Sequence, residues 1–198
     1  MTPLLEASPE RLLLAVRQLL REKGIAGPDE IAERIRVTDE ATPERGARIV
    51  ARAWLDPEFR ALLLEDGTRA VESMGIPMRG LPPLGVLENL PGLHHLVVCT
   101  LCSCYPRAVL GYPPLWFKSA AYRARAVRDP RGTLAEWGTT LPEGTRIRVV
   151  DSTADYRWMV LPLRPPGTED WDEARLAALV REGDMIGVTV PAAPASLS

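Results

Sequence analysis

Histidine and cysteine are scarce in this chain: two of the first and three of the second among 198 residues. An odd number of thiols cannot all pair within one chain, which excludes a closed disulfide framework. A structural zinc site usually draws on two separated pairs of ligands, and no second cysteine pair exists here. Charge imbalance is also lacking. A net charge of −2 gives no reason to expect nucleic acid or an anionic membrane as partner. No apolar run approaches the roughly 20 residues of a membrane span. Met1–Leu14 has no charged start followed by an apolar block, so no secretory signal is expected. Clustered cysteines without such a signal point to a reducing compartment, the cytoplasm, and to metal or catalysis rather than disulfides.

What the chain does have is a concentration of thiols. All three cysteines fall within six positions, Cys99-Thr100-Leu101-Cys102-Ser103-Cys104. Such a segment is a compact claw whose sulfurs can converge on one ion. The amides of Ser103 and Cys104 lie between the last two sulfurs and can join the coordination if deprotonated. Amide nitrogen and thiolate are strong-field donors. They suit a low-spin trivalent metal with a square of two nitrogens and two sulfurs, an axial sulfur, and a sixth position open for chemistry. The competing readings are three reduced structural cysteines, or a zinc-binding interaction module in which His94 or His95 joins the cysteines. Adjacent histidines entering a strand are more often ordinary hydrogen-bonding side chains.

The remaining pattern is helical first and mixed later. Ser8-Pro9-Glu10 is an N-cap followed by proline and an acid, and Leu12, Leu13, Val16, Leu19 and Leu20 form one stripe closed by Gly24. Pro28, Thr42-Pro43-Glu44 and Asp56-Pro57-Glu58 start further helices, the second placing Ile49, Val50, Ala53 and Trp54 inward. The pattern predicts a helical arm over 1–75, a Pro/Gly-rich linker over 76–92, a catalytic domain over 93–191 and a mobile tail over 192–198. Within the domain, Leu93–Val98 is a short apolar run that delivers the claw. Helices are expected over Ser119–Asp129, from Pro130 to before Gly138, and over Asp172–Glu182. Strands are expected at Thr145–Val150, Tyr156–Leu163 and Met185–Val190. The fold class is therefore α+β. The Arg123, Arg125, Arg128 and Arg131 series reads as a solvated or interface face. Trp116 is assigned either to the pocket or to packing, and Arg157 either to the site or to a structural ion pair.

Val98-Cys99-Thr100-Leu101-Cys102-Ser103-Cys104 resembles the metal claw of the nitrile hydratase α subunit and of the related thiocyanate hydrolase γ subunit. The likeness continues in Tyr105-Pro106, Val109-Leu110-Gly111, Trp116-Phe117-Lys118-Ser119, Asp151-Ser152, Arg157 and Met185-Ile186-Gly187-Val188, and spans about Gly46 to Pro191. The resemblance implies a helical arm embracing a partner, followed by a layered α-β-β-α catalytic domain. It implies one Co(III) per chain held by Cys99, Cys102, Ser103 and Cys104. Thr100 and Tyr105 match the cobalt-type pattern rather than the iron-type one. It further implies Cys99 as the unmodified axial ligand, Cys102 as sulfinate and Cys104 as sulfenate. The metal would polarise a nitrile as a Lewis acid, and the Cys104 sulfenate oxygen would attack the carbon or activate a water. A β-type subunit of one or two polypeptides would supply arginines to the oxidised sulfurs, and a metallochaperone or activator would load the metal.

Two departures from the family stand out. Arg107 occupies the place of a common tryptophan, as in thiocyanate hydrolases, and suits an anionic substrate or a polar, heteroaromatic nitrile. Gly80-Leu81-Pro82-Pro83 replaces an upstream stretch that often carries a supporting glutamine. The expected catalytic residues are thus Cys104, Cys102 and Arg107.

Overall fold

The structure is a computed structural model that describes residues 8–192. The ends of the expected arm and tail, residues 1–7 and 193–198, lie outside the described residues. The chain divides into two compact units, Met1–Glu40 and Ala41–Ser198.

The first unit holds α1 (Pro9–Glu22) and α2 (Pro28–Asp39). Ser8 caps α1 by accepting the Arg11 amide, as its cap-proline-acid start requires. The stripe on α1 finds no burial: Leu13, Val16 and Leu19 are all exposed.

The second unit opens with α3 (Pro43–Leu55), α4 (Pro57–Glu65) and α5 (Gly67–Ser73). Asp56 receives the Glu58 and Phe59 amides, and Asp66 receives that of Arg69, so each aspartate ends one helix and starts the next. These three helices carry Ile49, Val50, Leu63, Ala70 and Val71 into the core with essentially no exposure. The arm drawn from sequence to residue 75 is corrected accordingly: residues 41–75 belong to the core unit. The interval read as linker is also corrected, because it contains β1 (Leu84–Glu88). Pro82 and Pro83 disguise this strand by preceding it, where no ladder donor is needed.

Two parallel pairs form the sheets. β1 pairs with β4 (Arg157–Leu161), Leu84 opposite Arg157. β2 (Leu93–Val98) pairs with β3 (Arg146–Asp151), Val98 opposite Asp151. Strand β2 touches β1 and β4, so the small sheets lie against one another. Helices α4 and α5 cover β1. Helices α8 (Ala120–Arg128) and α9 (Pro130–Glu136) cover β2 and β3. The α+β class and its layering follow from this order. Two single turns, α6 (Arg107–Leu110) and α7 (Leu115–Lys118), were not expected.

The C-terminal region departs from the sequence pattern. Helix α10 (Glu173–Ala177) stops early. Arg181 is extended, and its amide donates to the buried Asp184 carboxylate, which begins α11 (Glu182–Ile186). The expected helix over Asp172–Glu182 is therefore split. The expected strand over Met185–Val190 does not form. The amides of Gly187, Val188 and Thr189 all turn back onto the Gly183 carbonyl. A short apolar run cannot by itself distinguish a buried helix end from a strand.

Buried polar groups bind this end to β2. His94 Nε2 donates to the Gly187 carbonyl at 2.7 Å, and its Nδ1 accepts from Asn89 at 3.1 Å. Asn89 Oδ1 takes the His95 amide at 2.7 Å and faces His95 Nδ1 at 3.3 Å. Burial holds both histidines neutral by pushing their pKa values down, helped at His95 by the positive charge of Arg148.

Gly187 has φ of 85°, and a Cβ there would run into the His95 carbonyl. Gly187→Ala is expected to cost roughly 2–5 kcal/mol, the left-handed penalty plus an overpacking cost. Gly138, at φ 74° with open space around it, is the control. Its alanine variant should lose only about 1–2 kcal/mol. Urea unfolding midpoints at constant slope measure both.

Candidate metal centre

The claw begins where β2 ends. Val98 is the last ladder residue, and its carbonyl accepts the Ser152 amide at 2.7 Å. From Cys99 to Pro106 the chain has no regular structure, so side chains must hold it. Asp151, at the end of β3, does much of this. Its carboxylate accepts the Thr100 amide at 3.0 Å and the Thr100 hydroxyl at 2.5 Å. Arg123 reaches from α8 to the Thr100 carbonyl at 3.2 Å. Part of the arginine series read as a surface face is thus turned toward the claw. Another member, Arg125, pairs with Glu136.

The three sulfurs lie within 4.8 Å of one another. Cys99 and Cys102 are 3.5 Å apart, Cys102 and Cys104 3.3 Å. Cys99 and Cys104 are buried, while Cys102 is exposed. The Cys104 thiol is pushed up to about 12, first by burial and then by the neighbouring thiols. Cys102 is shifted down by the Cys104 thiol and by the Ser103 amide. The donor set, three convergent sulfurs, fits one soft or borderline cation. A bound cation would keep all three as thiolates, overriding the cost of burial. Neither histidine belongs to this cluster. Both ring nitrogens of His94 are engaged elsewhere, and His95 faces Asn89.

Above the claw opens a cavity of about 340 Å³. Cys102, Ser103 and Cys104 line it. So do the apolar Met78, Leu81, Pro82 and Leu84, which puts the stretch that departs from the family pattern at the cavity. Arg107, the first residue of α6, lines it too, with its guanidinium 5.6 Å from the centre of the Tyr112 ring. Arg157 is the second cation of the cavity, placed there by the β1–β4 register beside Leu84. Its Nη1 is buried without a hydrogen-bond partner, and its charge favours ionised Cys104. Trp116 is not in the lining. It packs against Phe117, Tyr122 and Trp137.

Of the residues expected from sequence, Cys102, Ser103, Cys104 and Arg107 line this cavity, and Cys99 lies beside it in the sulfur cluster. Sequence reasoning had no means of finding Asp151's grip on Thr100, which depends on parallel pairing between distant segments.

Known proteins resemble this chain in sequence and fold. The chain matches the family described as nitrile hydratase, alpha chain, over residues 7–189. It is 51% identical over 181 residues to the low-molecular-weight cobalt-containing nitrile hydratase subunit alpha of Rhodococcus rhodochrous, covering 91% of this chain and 87% of that one. It is 44% identical over 193 residues to the thiocyanate hydrolase subunit gamma of Thiobacillus thioparus, covering 92% and 79%. Among solved structures, a thiocyanate hydrolase variant superposes with a TM-score of 0.85 at 43% identity, over 94% of this chain and 92% of that one. A double mutant of the iron-type nitrile hydratase of Comamonas testosteroni gives 0.81 at 42% identity, over 96% and 95%. On this match, which runs through the claw and nearly the whole chain, the protein belongs to the nitrile hydratase alpha-chain family.

Proposed function

We propose that this chain is the metal-bearing catalytic subunit of a cobalt nitrile hydratase acting in the cytoplasm on a polar or heteroaromatic nitrile. The observation that carries the reading is the convergence of three sulfurs, two of which line a cavity that Arg107 and Arg157 also line. Cys99, Cys102, Cys104 and the Ser103 amide would hold the ion. Bound there, cobalt would supply a Lewis acid and keep the sulfurs ionised.

The protein's own groups divide the remaining work. Cys104, as the sulfenate, would present an oxygen to the cavity it lines, either as nucleophile toward the nitrile carbon or as base toward a water. Over the whole reaction, water's oxygen ends on carbon and its two hydrogens on nitrogen, giving the amide. Cys102, as sulfinate, adds negative charge beside it. Arg157 lines the same cavity, and its unpartnered Nη1 is free to donate to such an oxygen. Sulfenic acids condense with free thiols unless restrained. A β-type partner supplying further arginines accounts for that restraint, and an activator for metal loading. The exposed apolar stripe of α1 suits an arm that lies on the partner.

Thiocyanate hydrolysis, giving carbonyl sulfide and ammonia, is the second reading. The charge of Arg107 and Arg157 in one cavity favours it, because an anionic substrate would be drawn there. Assay of the assembled complex for amide from nitriles against carbonyl sulfide from thiocyanate decides between the two. Metal analysis tests both. Cobalt or iron near one per chain with a thiolate-to-metal absorption band supports catalysis, whereas a colourless zinc protein without turnover points to an interaction module.

Cys104→Ser should abolish turnover even in a metal-loaded complex, since serine cannot become a sulfenate. Turnover near wild type would sink the mechanism. Cys99→Ser should lose metal and activity together, as metal analysis would register. The purified chain, free of other subunits, should show essentially no nitrile turnover, and robust activity from it alone would refute the need for a partner.

Arg107→Trp removes a planar fork of donors. It should lower kcat/KM for the polar substrate by about ten- to a hundredfold, the worth of a hydrogen bond to a charged group. Small apolar nitriles should hold or improve. Equal loss on both classes would make Arg107 structural.

A further inference from the structure

Tyr105 follows Cys104 directly and is 2% exposed. Its ring meets Phe117 edge-on at 5.0 Å. A phenol so enclosed must find its hydrogen-bond partner within the protein, because a buried hydroxyl left unpaired is costly. That partner is Glu182, whose Oε1 accepts the hydroxyl at 2.6 Å. Glu182 stands at the start of α11, a turn packed against β2, β4 and α3. At its other end, Tyr105 accepts the Arg107 amide on its carbonyl at 2.8 Å. One residue is therefore pinned by ring, hydroxyl and carbonyl between the last claw cysteine and the turn that carries Arg107.

We propose that Glu182 is a positioning residue for the claw: by taking the Tyr105 hydroxyl it fixes the backbone that presents Cys104 on one side and Arg107 on the other. The inference rests on the metal-claw reading above. Its physical basis is the absence of any ladder or helix between Val98 and Arg107. Over that interval the upstream side is tied by Thr100 to Asp151 and the downstream side by Tyr105 to Glu182. Groups that hold metal ligands in place commonly govern affinity without touching the ion. Glutamine at 182 keeps an oxygen acceptor for the phenol, whereas leucine does not. Phenylalanine at 105 removes the donor and keeps the ring packing.

The test is titration of the metal-free full-length chain with cobalt(II) against a competing chelator, beside its thermal midpoint. Glu182→Leu should weaken cobalt binding about tenfold, and Tyr105→Phe by a similar factor. The double variant should be no weaker than either single one, since both remove one interaction. Glu182→Gln should restore affinity close to wild type. Binding by Glu182→Leu as tight as wild type overturns the proposal, as does additivity of the two single changes. So does a pattern in which every variant lowers the thermal midpoint and none changes affinity. Failure of the claw reading looks different: the wild-type chain would then bind cobalt no better than Cys99→Ser, and both inferences would fall.

Discussion

Three sulfurs from six consecutive residues must meet within 4.8 Å, and the rest of the site depends on how that is done. An extended chain would place Cys99 and Cys104 roughly 17 Å apart. The backbone has to double back, and a loop that does so needs outside anchors. They come from the ends of the parallel pair β2–β3. The ladder delivers Cys99 in fixed register, Ser152 closes on the Val98 carbonyl, and Asp151 holds Thr100 by two hydrogen bonds. The Cys102 amide then points at the Cys99 sulfur at 3.3 Å. Sites at the carboxyl ends of parallel strands are common because chains leave the sheet there as loops. In this case the sheet also supplies the clamp.

The same strand is fixed at its other end by polar groups that would be costly if unpaired. Asn89, His94 and His95 are nearly fully buried, and Asn89 satisfies both histidines with its single side chain. His94 reaches across to Gly187, whose left-handed turn lets α11 approach β2 without a Cβ in the way. A slip of β2 by one residue would exchange its two buried faces and break this network at once. The position of Cys99 is thus determined from both ends of the strand. The scarcity of histidine noted in the sequence is consistent with this use, since the two present are structural.

Local signals were legible and long-range ones were not. The capped helix starts at Ser8, Asp56 and Ser119 could be read directly, because the cap lies next to what it caps. Leu93–Val98 and the strands near 146 and 157 were recognisable from apolar runs and alternation. β1 was hidden behind Pro82 and Pro83 and defined only by a partner more than seventy positions away. The run 185–190 was mistaken for a strand because its apolar pattern suits either state, and Asp184 with Gly187 decided the outcome through tertiary contacts. In the site, the claw was unmistakable because it is contiguous. The contacts of Asp151 and Glu182, and the placement of Arg157, arise from pairing and packing that a single sequence does not display.

The cavity itself bears on the choice between the two reactions. Its two guanidinium groups would attract an anion, which speaks for thiocyanate. Its lining speaks differently. Met78, Leu81, Pro82 and Leu84 are among the lining residues, side chains with no hydrogen-bond donor to offer an anion. Apolar side chains and guanidinium groups in one lining suit a molecule that has both an unsubstituted ring edge and acceptor atoms. Ring stacking adds to this, because Arg107 already lies 5.6 Å from the Tyr112 ring and its planar face is compatible with a second aromatic surface. The cavity thus combines charge that suits thiocyanate with apolar side chains that suit a heteroaromatic nitrile, and both come from this chain's own residues.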